Sequence, residues 1–150
     1  NSLYNTTLQN VITTSSNIKD QLPDILKRIG DRDITVVDEI TNINKQGKDA
    51  QFNNKIYSFA TKFCSFINPS YPIFDRFSSN LLFMILNRND EQFPLEDLGN
   101  YRIFCEKYEV FQNKYSLDNN KNTDTFLWMY GKILAASGDI VFETVSHINQ

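Results

Sequence analysis

The chain has 150 residues and a mass of 17.5 kDa, enough to bury a core without disulfides or structural metals. Its composition, 41% apolar and 22% charged, is ordinary for a globular protein, and five Gly with four Pro disfavour a turn-rich all-β fold. The net charge of −3 counts against tight non-specific binding to nucleic acid, which normally needs a basic excess. We predict a single domain over residues 1–150.

Cysteine usage and apolar runs bear on where the protein works. Cys64 and Cys105 both lie in apolar helical patterns, as expected for buried, reduced thiols in a cytoplasmic protein. The longest apolar run, residues 81–86, is too short to cross a bilayer, so we expect no membrane partner. The chain begins with Asn rather than Met, which is compatible with missing residues upstream.

Apolar spacings of three and four residues predict helices in the first third of the chain. A short first helix is expected around Leu3, Leu8, Val11 and Ile12. A second helix is expected to start at an Asp20 cap, to carry Pro23 in its first turn and to end at Gly30. Its buried face would be Ile25, Leu26 and Ile29.

Two further helices complete the first half. One is expected to open at Asp33, to bury Ile34, Val37, Ile40 and Ile43, and to be broken by Gly47. The next, over about residues 50–67, has a wide apolar stripe that marks it as central to the core: Phe52, Ile56, Phe59, Ala60, Phe63 and then Phe66 or Ile67. Pro69 and Pro72 forbid its continuation.

The second half continues the helical pattern. A helix is expected after Asp75 and should end near Asn87, and a long aromatic-faced helix should present Leu98, Tyr101, Phe104, Tyr108 and Phe111. Thr123 is a plausible N-cap for a helix from Phe126 to Ala136. The last element, Ile140 to Ile148, is rich in β-branched residues, so helix and strand both remain open. The fold class predicted is all-α.

Metal and nucleotide motifs are absent from the sequence. His147 is the only histidine, and the glycines are scattered rather than gathered in a phosphate-binding loop. We therefore expect no cofactor and no metal, and any catalysis should use carboxylates, lysines, tyrosines or thiols.

Asp75 is the first candidate for chemistry. It follows Pro72-Ile73-Phe74 directly and stands at the start of a predicted helix. It is either a helix N-cap, whose carboxylate accepts backbone N–H bonds, or a catalytic acid. Lys55 lies one helix and one turn earlier, so the two side chains are expected to face each other. Beside an apolar stripe, a lysine can act as an amine nucleophile; otherwise Lys55 is a solvated side chain.

The segment from Lys55 to Phe66, with Pro72-Ile73-Phe74-Asp75 and Leu81-Leu82 after it, resembles the core of the helix-hairpin-helix DNA glycosylases. That superfamily includes the 8-oxoguanine DNA glycosylases and the endonuclease III group. The resemblance implies that Asp75 stabilises a cationic sugar or activates the nucleophile, and that Lys55 is the Schiff-base lysine. The glycine-rich hairpin that precedes the lysine in those enzymes is replaced here by Gln51-Phe52-Asn53-Asn54, and Arg76 stands where they usually have threonine or histidine.

A second resemblance is to small uncharacterised bacterial proteins. It rests on residues 59–66, on Tyr71-Pro72-Ile73-Phe74-Asp75 and on residues 127–132. It suggests one neighbourhood made of Lys62, Asp75, Trp128, Tyr130 and Lys132. Lys62 lies two helical turns after Lys55, so both are expected on roughly one helix face; its stem is expected to pack on Phe66 with a solvated amine rather than to take part in catalysis. Trp128 and Tyr130 are either core aromatics or a stacking surface for a flipped base.

Two functions from different classes follow from these residues. The first is a DNA glycosylase-like enzyme of DNA repair, with Asp75 and Lys55 as catalytic residues and DNA as its partner. Lys62, Arg76, Trp128, Tyr130 and Lys132 would then contact the substrate. The alternative is a non-catalytic helical module derived from that fold, which binds a protein partner.

Overall fold

The computed structural model describes residues 15, 16, 18–43, 50–88 and 92–150. Six α-helices lie in that part of the chain: α1 (Leu22–Gly30), α2 (Thr35–Asn42), α3 (Ala50–Ile67), α4 (Arg76–Asn87), α5 (Tyr101–Tyr115) and α6 (Asn120–Ser137). Short 3-10 helices cover Lys19–Gln21 and Leu95–Gly99. The all-α prediction is confirmed. The short helix predicted at residues 3–12, and Gly47, lie outside the described residues.

The first two helices match their predicted positions with local corrections. Pro23 lies in the first turn of α1, but Asp20 does not cap that helix, because it lies in the preceding 3-10 turn. Ile25 and Ile29 are fully buried, whereas Leu26 is 40% exposed, so the predicted apolar face was one residue too wide. Helix α2 opens as expected beside Asp33, whose Oδ1 accepts a hydrogen bond from the Thr35 N–H.

Helix α3 is central to the core, as its apolar stripe predicts. Ile56, Tyr57, Ala60 and Cys64 are fully buried along it. The exception is Phe66, which is 90% exposed. Of the two residues that could end the predicted stripe, Ile67 packs against the core and Phe66 does not.

Helices α4, α5 and α6 form the other half of the molecule. Helix α4 packs on α6 at a close approach, because a Cβ built on Gly131 would lie 2.8 Å from the Phe77 Cβ. The N-cap of helix α6 lies four residues earlier than predicted, at Asn119 rather than Thr123. Thr123 lies inside the helix, where it is fully buried.

The last segment, residues 139–150, is neither a helix nor a regular strand. It is an extended strap, with one isolated parallel bridge between Asn100 and Ile148. Side chains from the helices hold its backbone: the Asn80 amide donates to the Glu143 carbonyl and accepts from the Glu143 N–H, at 2.8 and 2.9 Å. The strap is held by side chains of distant helices and not by a neighbouring strand. Its β-branched residues therefore did not reveal its conformation.

His147 anchors the strap inside the molecule. Its side chain is 1% exposed, its Nε2 lies 2.7 Å from the Asp38 Oδ1, and its ring packs on Tyr57. The only histidine is therefore part of the packing between the strap, α2 and α3. None of the helices in the described part of the chain is long and apolar enough to cross a membrane.

Candidate active site at the start of helix α4

The chain reaches Asp75 through a tightly held turn. Helix α3 ends before Pro69, and Tyr101 donates a 2.8 Å hydrogen bond from its hydroxyl to the Pro72 carbonyl. The buried Thr61 hydroxyl accepts the Phe74 N–H at 3.1 Å. The backbone of Asp75 is therefore fixed from both sides before α4 begins.

Asp75 is the N-cap of α4. Its Oδ1 accepts the Ser78 N–H at 2.8 Å, and the Ser78 hydroxyl accepts the Asp75 N–H at 3.0 Å. This reciprocal pair is a capping box, which satisfies two backbone donors at the helix start. The prediction that Asp75 is a helix N-cap is thus confirmed. The cap leaves the carboxylate only half-buried, so it is compatible with a second role as a catalytic group.

Two cavities meet at Asp75 and Lys62. The cation groove, of about 350 Å³, is lined by Lys55, Ser58, Lys62, Asp75 and Arg76 and by Thr144 of the strap. The tryptophan cleft, of about 450 Å³, is lined by Lys62, Phe66, Asp75, Asp124, Trp128 and Met129. Both volumes lie in the range of small-ligand sites.

The cation groove contains both residues that the sequence analysis proposed as catalytic. Lys55 comes from the first half of α3, and Asp75 and Arg76 come from the start of α4. Three basic side chains, those of Lys55, Lys62 and Arg76, face one carboxylate there, so the lining is locally positive although the chain carries a net charge of −3. The segment 51–54, where the resemblance to the glycosylases would place their hairpin, belongs to helix α3.

Lys62 lies between the two cavities on a buried part of α3. Burial lowers the pKa of Lys62, and the nearby Asp75 carboxylate offsets part of that shift. A larger share of neutral amine is the property that an amine nucleophile needs. Lys62 therefore has the lowered pKa that favours an amine nucleophile, and it also lies beside Asp75.

Asp124 is a cleft residue that the sequence analysis missed. Its Oδ1 accepts a 2.5 Å hydrogen bond from the Tyr108 hydroxyl and a 3.4 Å bond from the Ile73 N–H. Burial raises the pKa of Asp124 to about 7, and the charge of Asp75 adds to that shift. In the sequence, Asp124 follows a polar run and reads as a solvated residue of a first helical turn, so no local signal marked it.

The predicted aromatic neighbourhood is only partly assembled. Trp128 lines the cleft, and its buried Nε1–H has no hydrogen-bond partner among the described residues. Lys132 places its amine 4.2 Å from the centre of the Trp128 ring, outside the cleft. Tyr130 is exposed and stacks on Phe126 on another face of α6. The structure thus brings Trp128 to Asp75 and Lys62 but leaves Tyr130 apart from them.

The described residues include no group of His, Cys, Asp and Glu side chains that is arranged to hold a metal ion. The polar side chains at the site are two carboxyls, the lysines and one indole. Cys64 and Cys105 are free thiols, and burial raises the pKa of each to about 12.

Comparisons with known proteins give similarity without an activity. Residues 1–71 match a family described as "HI_0787_N: N-terminal domain". A protein of Haemophilus influenzae named "Uncharacterized protein" is 38% identical over 114 residues, which are 74% of this chain and 52% of that relative. The chain thus spans about half the length of the relative. No solved structure matches the chain. The predicted likeness to uncharacterised bacterial proteins is confirmed to this extent.

Proposed function

We propose that the protein is a DNA glycosylase-like enzyme that cleaves the N-glycosidic bond of a flipped, damaged or modified base. The observation that carries the proposal is the shared lining of the cation groove by Lys55 and Asp75, beside a cleft of about 450 Å³ that has room for a base. These are the two residues to which the resemblance to the helix-hairpin-helix glycosylases assigns catalytic roles. Arg76 and Lys62 add the positive charge that a DNA backbone requires.

In the proposed reaction the base enters the tryptophan cleft and the deoxyribose C1′ lies near Asp75. The Asp75 carboxylate stabilises the positive charge that develops on the sugar as the glycosidic bond breaks. Water, or the neutral amine of Lys55, attacks C1′. An amine attack yields a Schiff base after the sugar ring opens, which is the bifunctional form of the reaction.

The lysine role is tested by borohydride trapping on duplex DNA that contains an abasic site. We expect the wild type to become covalently attached, Lys55→Gln to abolish the attachment, and Lys114→Gln, at the exposed end of α5 and outside both cavities, to leave it unchanged. Attachment that survives in Lys55→Gln and disappears in Lys62→Gln would move the nucleophile to Lys62. No trapping restricts the proposal to hydrolysis by water.

The role of Asp75 is tested by Asp75→Asn. Asn caps helices about as well as Asp, so the melting temperature should change little. Loss of the charge should slow base release from modified oligonucleotides at least about a hundredfold, roughly 2.7 kcal/mol of barrier. A wild type inert on a broad panel of damaged bases, without DNA affinity at low salt, would refute the glycosylase proposal.

A second candidate is a non-catalytic helical module that binds a protein partner. It is favoured by the exposed apolar side chains next to the tryptophan cleft, Phe66, Met129 and Ile133. This candidate predicts an inert wild type and an Asp75→Asn variant that differs from it in nothing but its charge.

A further inference from the structure

The tryptophan cleft holds two carboxyl groups in contrasting environments. Asp75 is half-buried at a helix N-terminus, where it caps α4 and lines the cleft together with Lys62. Asp124 is contributed by the first turns of α6 and lies against the Tyr108 hydroxyl of α5. Pairs of carboxyls whose surroundings differ in this way divide the acid and base roles in many hydrolases.

We propose that Asp124 is the general acid of the reaction and donates its proton to the departing base. This inference rests on the glycosylase function proposed above and adds a catalytic residue to it. It also defines the substrate class, namely bases that are neutral in DNA and must be protonated in order to leave.

The proposed reaction is a hydrolysis with two proton transfers. The C1′–N bond breaks and its electron pair passes to the base nitrogen system, which takes the proton from the Asp124 carboxyl. Water adds to C1′ and gives one proton to the Asp75 carboxylate. Asp124 ends ionised and Asp75 protonated, and proton exchange with solvent restores the starting state. No oxidant, reductant or metal is needed.

The contacts of Asp124 suit this role. Both hydrogen bonds that hold it, from Tyr108 and from the Ile73 N–H, end on Oδ1. One oxygen thus positions the carboxyl, and the proposal assigns the transferred proton to the other oxygen, Oδ2. The raised pKa of Asp124, caused mainly by burial, keeps a substantial protonated fraction near neutral pH.

Other titratable groups lie around Asp124. Lys62 of α3 and Asp75 at the start of α4 share the tryptophan cleft with it, and the charge of Asp75 raises the pKa of Asp124. Tyr108 of α5 donates a hydrogen bond to it, which lowers that pKa, and Lys121 of its own helix lines the adjoining surface pocket with it. Trp128, one turn further along α6, lines the same cleft.

The test compares leaving groups rather than overall activity. Oligonucleotides that carry a neutral oxidised purine are compared with ones that carry 7-methylguanine, whose positive charge lets it depart without a proton. In Asp124→Asn we expect release of the neutral base to fall at least about a hundredfold, in line with general acid catalysis. Release of 7-methylguanine should fall less than about threefold. Asp118→Asn, at an exposed position just before α6, is the matched control and should change neither rate.

A pH profile gives an independent readout. For the wild type, release of the neutral base should decline above about pH 7 as Asp124 ionises, and this decline should be missing with 7-methylguanine. If Asp124→Asn does not fold, Tyr108→Phe serves in its place. It keeps the acid, removes the 2.5 Å positioning bond and should slow release of the neutral base only.

The outcomes separate the two proposals. An equal loss on both substrates in Asp124→Asn, or no loss on either, refutes the general-acid role and leaves the glycosylase function standing. A wild type that releases only 7-methylguanine also refutes it, because no acid is then required. A wild type that releases neither base refutes the proposed function, and this inference fails with it.

Discussion

The side chain of Asp75 caps helix α4 and also lines both cavities. The capping box with Ser78 engages Oδ1 and explains why an Asp stands before Arg76 in the chain. A cap alone does not explain why Lys55, Lys62 and Arg76 gather around it. The structural role is therefore established, and the catalytic role is the additional claim that the Asp75→Asn experiment tests.

The buried Asp124 makes the stability of the fold depend on pH. Its pKa rises from an ordinary 3.8 to about 7 in the folded state, so between these values the native state holds a proton that the unfolded state has released. The sign follows from linkage: stability falls as pH rises wherever the native state binds more protons. The contribution of Asp124 is fully present below about pH 4 and is lost as the pH rises through 7.

Urea denaturation of the wild type and of Asp124→Asn at pH 5, 6, 7 and 8 checks this prediction. The free energy of unfolding of the wild type minus that of the variant should decrease with pH, at most by about 1.4 kcal/mol per pH unit. Subtracting the variant removes the contributions of the other titrating groups. A difference that is constant or increases with pH would contradict the raised pKa.

At the element scale, the strap is the part of the molecule that depends most on close packing. Residues 144–145 line the cation groove, and the strap backbone lies so close to Gly99 that an added Cβ would overlap the Ser146 carbonyl oxygen. The Ile148 N–H also donates to the Gly99 carbonyl at 2.9 Å. The groove is therefore completed by a segment that only a glycine at position 99 admits.

Gly99→Ala should destabilise the protein by about 1–3 kcal/mol, the usual cost of overpacking, because the strap must move away. Gly30→Ala is the control. Gly30 ends helix α1, and an added Cβ there would have no atom within 4 Å, so the change should stabilise the protein by about 0.4–1 kcal/mol. Thermal melting measures both, and hydrogen exchange at Ile148 should accelerate in Gly99→Ala only. Equal effects of the two substitutions would argue against the packing of the strap.

The elements themselves were largely predictable from the sequence, and the strap was not. Helix α3 and helix α4 lie at the predicted positions because their apolar spacing and the prolines between them act locally. The strap is held by contacts such as Asn80 to Glu143, which are 63 residues apart and leave no periodic trace. Asp124 could not be predicted as a site residue for the same reason, because its surroundings include Tyr108 of another helix.

At the scale of the whole molecule, the charges of the chain oppose DNA binding while those of the groove favour it. The net charge is −3, yet the cation groove presents Lys55, Lys62 and Arg76 against Asp75. Elsewhere, basic and acidic side chains neutralise each other locally, as Arg28 does with Asp33 and Glu39. A DNA contact made by this protein should therefore be confined to one face and use few phosphates.

The dependence of DNA affinity on salt concentration measures how many phosphates the protein contacts. With about three phosphates neutralised in the groove, log K should fall with log salt concentration with a slope of about −2.7, since each phosphate contributes about −0.9. Arg76→Gln, at the exposed edge of the groove, should make the slope shallower by about 0.9, whereas Lys114→Gln, on the exposed end of α5, should leave it unchanged. If both substitutions make the slope shallower to the same extent, the DNA contacts a diffuse surface rather than the groove. Binding that is undetectable even at low salt would favour the protein-binding module, because the positive lining around Asp75 would then have no phosphate to contact.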